Sequence, residues 1–213
     1  MKKKGDTKSK FKKFWKKFWF IVWKDNSFKG WIISLIFLFI LIKGIFFPLM
    51  ILTTGTELPL VIVESCSMYH EHNLFSNFDE WFEKHEIKYW EQKISKDMFS
   101  TYSFKKGFNK GDILFVTSAK PNQLEVGDVI IFAANYKSPI IHRIIDIKQE
   151  NNEYIFSTLG DNNPKQIYFE TSIKENQLVG KARANIAPYV GWIKLIFFEF
   201  NQPQNNKGFC TEN

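Results

Sequence analysis

Cysteine and histidine are scarce in this chain of 213 residues, and acidic side chains are almost missing from its first 29. Two cysteines exclude a disulfide-dense scaffold and a four-thiolate zinc site. They are Cys66 and Cys210, too far apart for spacing to argue a bridge, and the expectation is two unpaired thiols. Only His70, His72, His85 and His142 are available as imidazole bases or ligands. The shortage of acids is local. Residues 1–29 hold eleven lysines against Asp6 and Asp25, whereas the rest of the chain is close to neutral. The overall charge of +7 therefore belongs to the N-terminus and not to a basic folded body.

What the chain does have is aromatic and apolar surface, with 23 phenylalanines. In residues 11–23, Phe11, Phe14, Trp15, Phe18, Trp19 and Val22 recur at helical intervals with lysines between them. Such a helix suits an anionic membrane surface. Basic arms also bind nucleic acid, but this one runs directly into WIISLIFLFILIKGIFFPLMIL, residues 31–52, and a nucleic-acid partner is not expected. That run carries one charge, Lys43, and as a helix extends about 33 Å, enough to cross a hydrocarbon core. Gly44 and Pro48 are expected to bend its second half. The run exceeds a typical signal-peptide core and no small-x-small site follows it, so an uncleaved anchor is expected. Its basic flank should stay in the cytoplasm, with the rest exported.

Beyond Leu58, short stretches rich in Ile, Val and Phe alternate with turn residues: PLVIVES, GDILFV, VGDVIIF, PIIHRIIDIK and YIFSTL. They predict a compact, mainly β domain. Residues 72–106 interrupt it with one or two helices, in which Trp81, Phe82, His85, Tyr89 and Trp90 form a candidate stripe packed on the β-core. PYVGWIKLIFFEF, residues 188–200, suits a strand followed by a helix, and residues 201–213 are expected to be disordered. The domain organisation expected is a basic segment 1–29, an anchor 30–53, an extracytoplasmic β domain 54–200 and the tail.

The chemistry concentrates around VIVESCSMYH, residues 61–70. A serine hydroxyl needs a neighbouring base. His142, flanked by branched apolar residues in a strand, is the one histidine outside the insert region. Of three Gly-Asp pairs, Gly111-Asp112 and Gly127-Asp128 lead into strands and read as turns. Gly160-Asp161 is followed by Asn162-Asn163-Pro164, a polar loop that can orient a neighbour. Cys66, His70 and His72 offer three metal ligands in seven residues, but no fourth is evident and no metal or cofactor is expected.

In order, the anchor, VIVESCSM, GDILFV, VGDVIIF, PIIHRI, GDNNP, VGKA and PYVGW resemble the type I signal peptidases. His142 followed by Arg143 is similar to the archaeal and endoplasmic-reticulum branch, where a histidine replaces the bacterial lysine. The resemblance implies Ser67 as nucleophile, His142 as general base, and Ser65 with the Ser67 backbone N–H as oxyanion donors. It also implies Met68 as a packing residue and Asp161 as the acid of the Gly-Asp motif. The chain departs from the family at Cys66, where glycine is usual, at His70, where proline is usual, and at Ile167, where a second aspartate often stands. Asp161 orienting His142, Glu170 reaching in, or a dyad all remain open.

The function implied is a membrane-bound serine endopeptidase that removes signal peptides from preproteins, with the lipid bilayer and unspecified secretion-machinery subunits as partners. The competing class is a catalytically silent, membrane-anchored binding or assembly module. A Cys66 nucleophile is disfavoured because alternation turns it away from Ser67.

Overall fold

The computed structural model describes residues 5–71, 78–134, 138–201 and 207–211, in two compact units, Met1–Thr53 and Thr54–Asn213.

In the first unit, helix α1 (Gly5–Trp23) is followed by α2 (Phe28–Leu41). Ser27 caps α2 by accepting the Gly30 N–H at 3.1 Å, satisfying one of the orphan donors of the first turn. The two helices fold against each other. Phe18 meets Phe37 edge-to-face at 5.3 Å, and Ser34 Oγ donates to Val22 O at 2.7 Å. A π-helical turn at Ile42–Phe46 contains Gly44 and leads into α3 (Phe47–Thr54). The disturbance expected near Gly44 therefore takes the form of a widened turn inside a continuous helical run. That run, Phe28–Thr54, is long and apolar enough to cross a membrane.

The second unit is a seven-stranded, wholly antiparallel sheet made of β1 (Leu60–Ile62), β2 (Ile113–Thr117), β3 (Val129–Phe132), β4 (Ile140–Glu150), β5 (Glu153–Leu159), β6 (Ile173–Lys174) and β7 (Leu178–Ala187). Their spatial order is β1-β2-β7-β3-β4-β5-β6. Five of the strands were expected. β7, which joins the two halves of the sheet, was not, because its inward positions include Gly180 and Ala182, small residues that lack the Ile/Val/Phe signature. The β4–β5 hairpin closes through Asn151 and Asn152 with φ of 50° and 69°, a turn that asparagine tolerates.

Asp112 and Asp128 hold turns, as their Gly-Asp settings predicted. Asp112 accepts from Asn109 N and Tyr189 N, and Asp128 accepts from Glu125 N and pairs with Lys181. The inserted segment forms α4 (Phe78–Trp90) and α5 (Lys96–Ser100). Trp81, Phe82, Tyr89 and Phe99 bury their rings against Ile145 of β4 and Leu159 of β5. Of the stripe, Trp81, Phe82 and Tyr89 thus pack on the sheet, whereas His85 is half-buried against Trp81 and Trp90 is 75% exposed. Met68 belongs to a separate cluster with Val63, Phe108, Leu114 and Val129. Burying such a side chain contributes roughly 1.5–3 kcal/mol and pins the chain just after Ser67.

Three expectations are corrected. The strand proposed within residues 188–200 is absent: β7 ends at Ala187, and a turn leads into α6 (Trp192–Leu195). Cys66 and Cys210 are not free thiols but form a disulfide across 144 residues of sequence. Residues 207–211 of the tail, expected to be disordered, are held in place. Gly208 N donates to Glu199, Phe209 lies 5.0 Å from Trp192, and Thr211 O accepts from Asn162. A bridge closed by tertiary return of a distant segment leaves no mark in local spacing.

Candidate active site

The serine cluster lies just past β1, in a bend and not in the strand itself. Ser65 Oγ and Ser67 Oγ stand 3.2 Å apart on the same side of this bend. Between them Cys66 is committed to its disulfide, which removes it as a nucleophile or metal ligand. His70 is committed to Asp161, and His72 lies outside the described residues, so Cys66 and His70 offer no ligand set.

His142 is the third residue of β4, paired in register with Ile130 of the central β3, and is only 4% exposed. Its Nδ1 donates to Glu170 Oε1 in a short contact. Glu170 is completely buried and held in turn: Oε2 accepts the Ile167 N–H at 2.7 Å, and Thr158 Oγ1 lies 3.4 Å from Oε1. A carboxylate fixed in this way selects the tautomer that leaves the Nε2 lone pair available.

Nε2 faces Gly160. A methyl group placed on Gly160 would come within 2.9 Å of His142 Nε2 and 2.8 Å of Ser67 O, so only glycine lets the imidazole approach the serine backbone here. Asn162 N donates to that same Ser67 O at 2.8 Å. The structure thus brings Ser65, Ser67, His142 and Glu170 to one place. Among the described residues no hydrogen bond joins Ser67 Oγ to His142 Nε2, and the Ser67 hydroxyl rests against Ser65.

Among the described residues no hydrogen bond joins Asp161 to His142. Its two oxygens take four hydrogen bonds from other groups. Arg143 Nε and Nη2 bind at 3.0 and 2.7 Å, Tyr89 Oη at 2.9 Å and His70 Nε2 at 2.9 Å. Burial alone would raise its pKa, but the Arg143 guanidinium and these donors prevail and hold the carboxyl well below the usual carboxylate range. Burial also strips solvent from His70 and lowers its pKa to about 4, against the opposing pull of Asp161, so it is neutral at pH 7. Arg143 is fully buried, stacks over Phe99 at 4.6 Å, and spends its remaining donors on the carbonyls of Gly127, Ser103 and Phe104. Asp161 is therefore the centre of a closed polar cluster beneath the serine loop, and the acid beside the histidine is Glu170. The sequence leaves Asp161, Glu170 and a dyad without an acid as alternatives. The Gly-Asp-Asn-Asn pattern favoured Asp161 because it marks a polar loop, but a loop can serve a site by holding it.

No family model matches the chain. Comparison with characterised proteins finds the signal peptidase complex catalytic subunit SEC11C of Homo sapiens and of Canis lupus familiaris, each 31% identical over 105 residues, which cover 46% of this chain and 54% of theirs. The signal peptidase complex catalytic subunit SEC11 of Candida tropicalis is 30% identical over 107 residues, covering 46% of this chain and 61% of that protein. The chain spans little more than half the length of the curated relatives it matches. Over that aligned part, this chain is similar to signal peptidase complex catalytic subunits, in line with the resemblance that its serine and histidine motifs carry.

Proposed function

We propose that this chain is a membrane-anchored serine endopeptidase that removes N-terminal signal peptides from exported preproteins. One observation carries the reading: a buried Glu170 accepts a hydrogen bond from His142 Nδ1–H, while Nε2 faces the backbone of Ser67 across Gly160. In this mechanism Ser67 Oγ turns from Ser65 towards Nε2, gives up its proton there and attacks the scissile carbonyl carbon. The Ser67 N–H and the Ser65 hydroxyl stabilise the oxyanion. The imidazolium, steadied by Glu170, protonates the leaving amine, and the mature chain departs. Water then attacks the acyl ester, losing a proton to the same nitrogen, which frees the signal peptide as its carboxylate and restores Ser67.

The apolar run Phe28–Thr54 serves as the anchor of this enzyme, and Ser67 follows it after only a short length of chain. Confinement to the bilayer raises the effective concentration of a membrane-bound substrate and sets the height at which cleavage occurs. The lysine-rich segment 1–29 stays on the cytoplasmic side and the domain 54–200 lies outside. The Cys66–Cys210 disulfide suits that side, because such bonds persist in oxidising compartments. The relatives are named as subunits of a complex, which makes assembly with further membrane subunits part of the proposal.

The test uses the full chain in liposomes with a preprotein substrate. Ser67→Ala should abolish cleavage while leaving Tm unchanged. Cleavage at the wild-type rate by this variant would overturn the serine mechanism, and absence of cleavage by the wild-type chain would favour a silent binding module.

A further inference from the structure

The inserted helix α4 has a second connection to the site besides its apolar packing. Lys88 Nζ donates to two backbone carbonyls of the Gly-Asp-Asn-Asn loop, that of Asp161 in a short contact and that of Asn163 at 3.0 Å. Its neighbour Tyr89 donates from Oη to the Asp161 carboxylate. The residue bracketed by these contacts is Asn162, which is 2% exposed. Asn162 grips the serine bend twice, through its own N–H to Ser67 O at 2.8 Å and through Nδ2 to Cys66 O at 3.1 Å.

The second of these bonds has a geometric consequence. Cys66 O and the Ser67 N–H belong to one peptide unit, and in a planar trans peptide the carbonyl and the N–H point in opposite directions. Whatever fixes the direction of Cys66 O therefore aims the Ser67 N–H. Two donors fix it, Asn162 Nδ2 and the Tyr69 N–H at 3.1 Å, the second of them internal to the bend. Among the described residues, the Asn162 bond is the one hydrogen bond that reaches Cys66 O from outside the bend.

We propose that Lys88 is a positioning residue for the oxyanion donor: by clamping the backbone on both sides of Asn162 from helix α4, it holds the Cys66–Ser67 peptide so that the Ser67 N–H points into the site. This rests on the protease reading above, and it gives the inserted segment a role in the chemistry. An ammonium that donates to two carbonyls stiffens the loop through charge-assisted bonds, which are stronger than neutral ones. An oxyanion donor must be aimed before the reaction, since reorientation during it forfeits most of the stabilisation.

The experiment compares Lys88→Met, which keeps the stem and removes the donors, with Lys88→Arg, which restores them. Cys66-Ser67 is the only Cys-Ser step in the sequence, so cysteine labelled with 13C at the carbonyl and serine labelled with 15N together isolate that one amide in the full chain in detergent micelles. Lys88→Met should displace or broaden this resonance, and Lys88→Arg should return it to the wild-type position. With a preprotein substrate, Lys88→Met should lower kcat about 10- to 100-fold while KM stays within about threefold, the pattern of a contact felt mainly in the transition state. An unmoved resonance, an unchanged kcat, or a fall in kcat matched by a lower Tm and a raised KM would overturn the proposal. If the wild-type chain cleaves no preprotein, the protease reading fails, and the amide resonance still decides whether Lys88 orients the peptide.

Discussion

Glu170 Oε1 accepts a hydrogen bond from His142 Nδ1–H from a position in which neither oxygen of the carboxylate meets solvent. The glutamate reaches it from a single 3-10 turn, Tyr168–Glu170, that starts just past Ile167. Ile167 occupies the place where the family often carries an aspartate, and its backbone N–H binds the other Glu170 oxygen. The carboxylate that stands beside His142 thus comes from one turn later in the chain.

Two carboxamide substitutions separate the roles of the acids. Glu170→Gln should cut kcat by about 10³- to 10⁴-fold, because the histidine loses the partner that fixes its tautomer, while Tm changes little. Asp161→Asn should act mainly on stability. It leaves the Arg143 charge buried without its counter-ion, a loss of about 3–5 kcal/mol, visible as a lowered Tm or as failure to fold. Preprotein cleavage and thermal melts on both variants check this, and the reverse pattern would return the catalytic role to Asp161.

The buried His70 predicts a slope of stability with pH. It contacts Asp161, stacks on Trp81 at 3.4 Å, and feels the charges of Arg143 and His85. Its pKa is about 4 in the folded chain against 6.5 as an ordinary histidine, so below pH 6.5 the unfolded chain binds the extra proton and the folded one does not. Stability from this group is therefore full above about pH 6.5 and is lost as pH falls towards 4, by about 3 kcal/mol in all. Unfolding measured across pH 4–7 should show this slope, and His70→Gln, which keeps a donor for Asp161 but cannot titrate, should flatten it.

The disulfide predicts a response to reductant. Closing so long a loop should contribute about 2–5 kcal/mol. Reduction should lower the Tm of the wild-type chain, and Cys210→Ser should start from the lower Tm and show no further change. Equal melting of wild-type and Cys210→Ser chains under oxidising conditions would sink this expectation.

The parts of this molecule that the sequence made legible are those written in local pattern. The apolar run around Lys43, the strand carrying His142 and the serine bend before Met68 each declare themselves through periodicity or punctuation within about ten residues. What stayed hidden depends on return contacts. Cys210 reaches Cys66, Lys88 reaches the Asp161 loop, and Glu170 reaches His142, and no window of neighbouring residues contains either pair member together with its partner. β7 escaped for a different reason, since Gly180 and Ala182 meet the packed strands with too little side chain to read as apolar. The choice between Asp161 and Glu170 could not be made from composition, because both are acids in polar loops and only burial beside a particular imidazole distinguishes them.

The bond between positions 66 and 210 also sets a schedule. During synthesis the bend bearing Ser67 emerges from the ribosome long before its sulfur partner does, and the latch cannot close until the polypeptide has been made as far as that second cysteine. Until then Asn162 also lacks Thr211 as an acceptor. The nascent protein thus carries the serine bend on its hydrogen bonds alone until residue 210 has been made, and sealing that bend covalently becomes a separate, oxidant-dependent event.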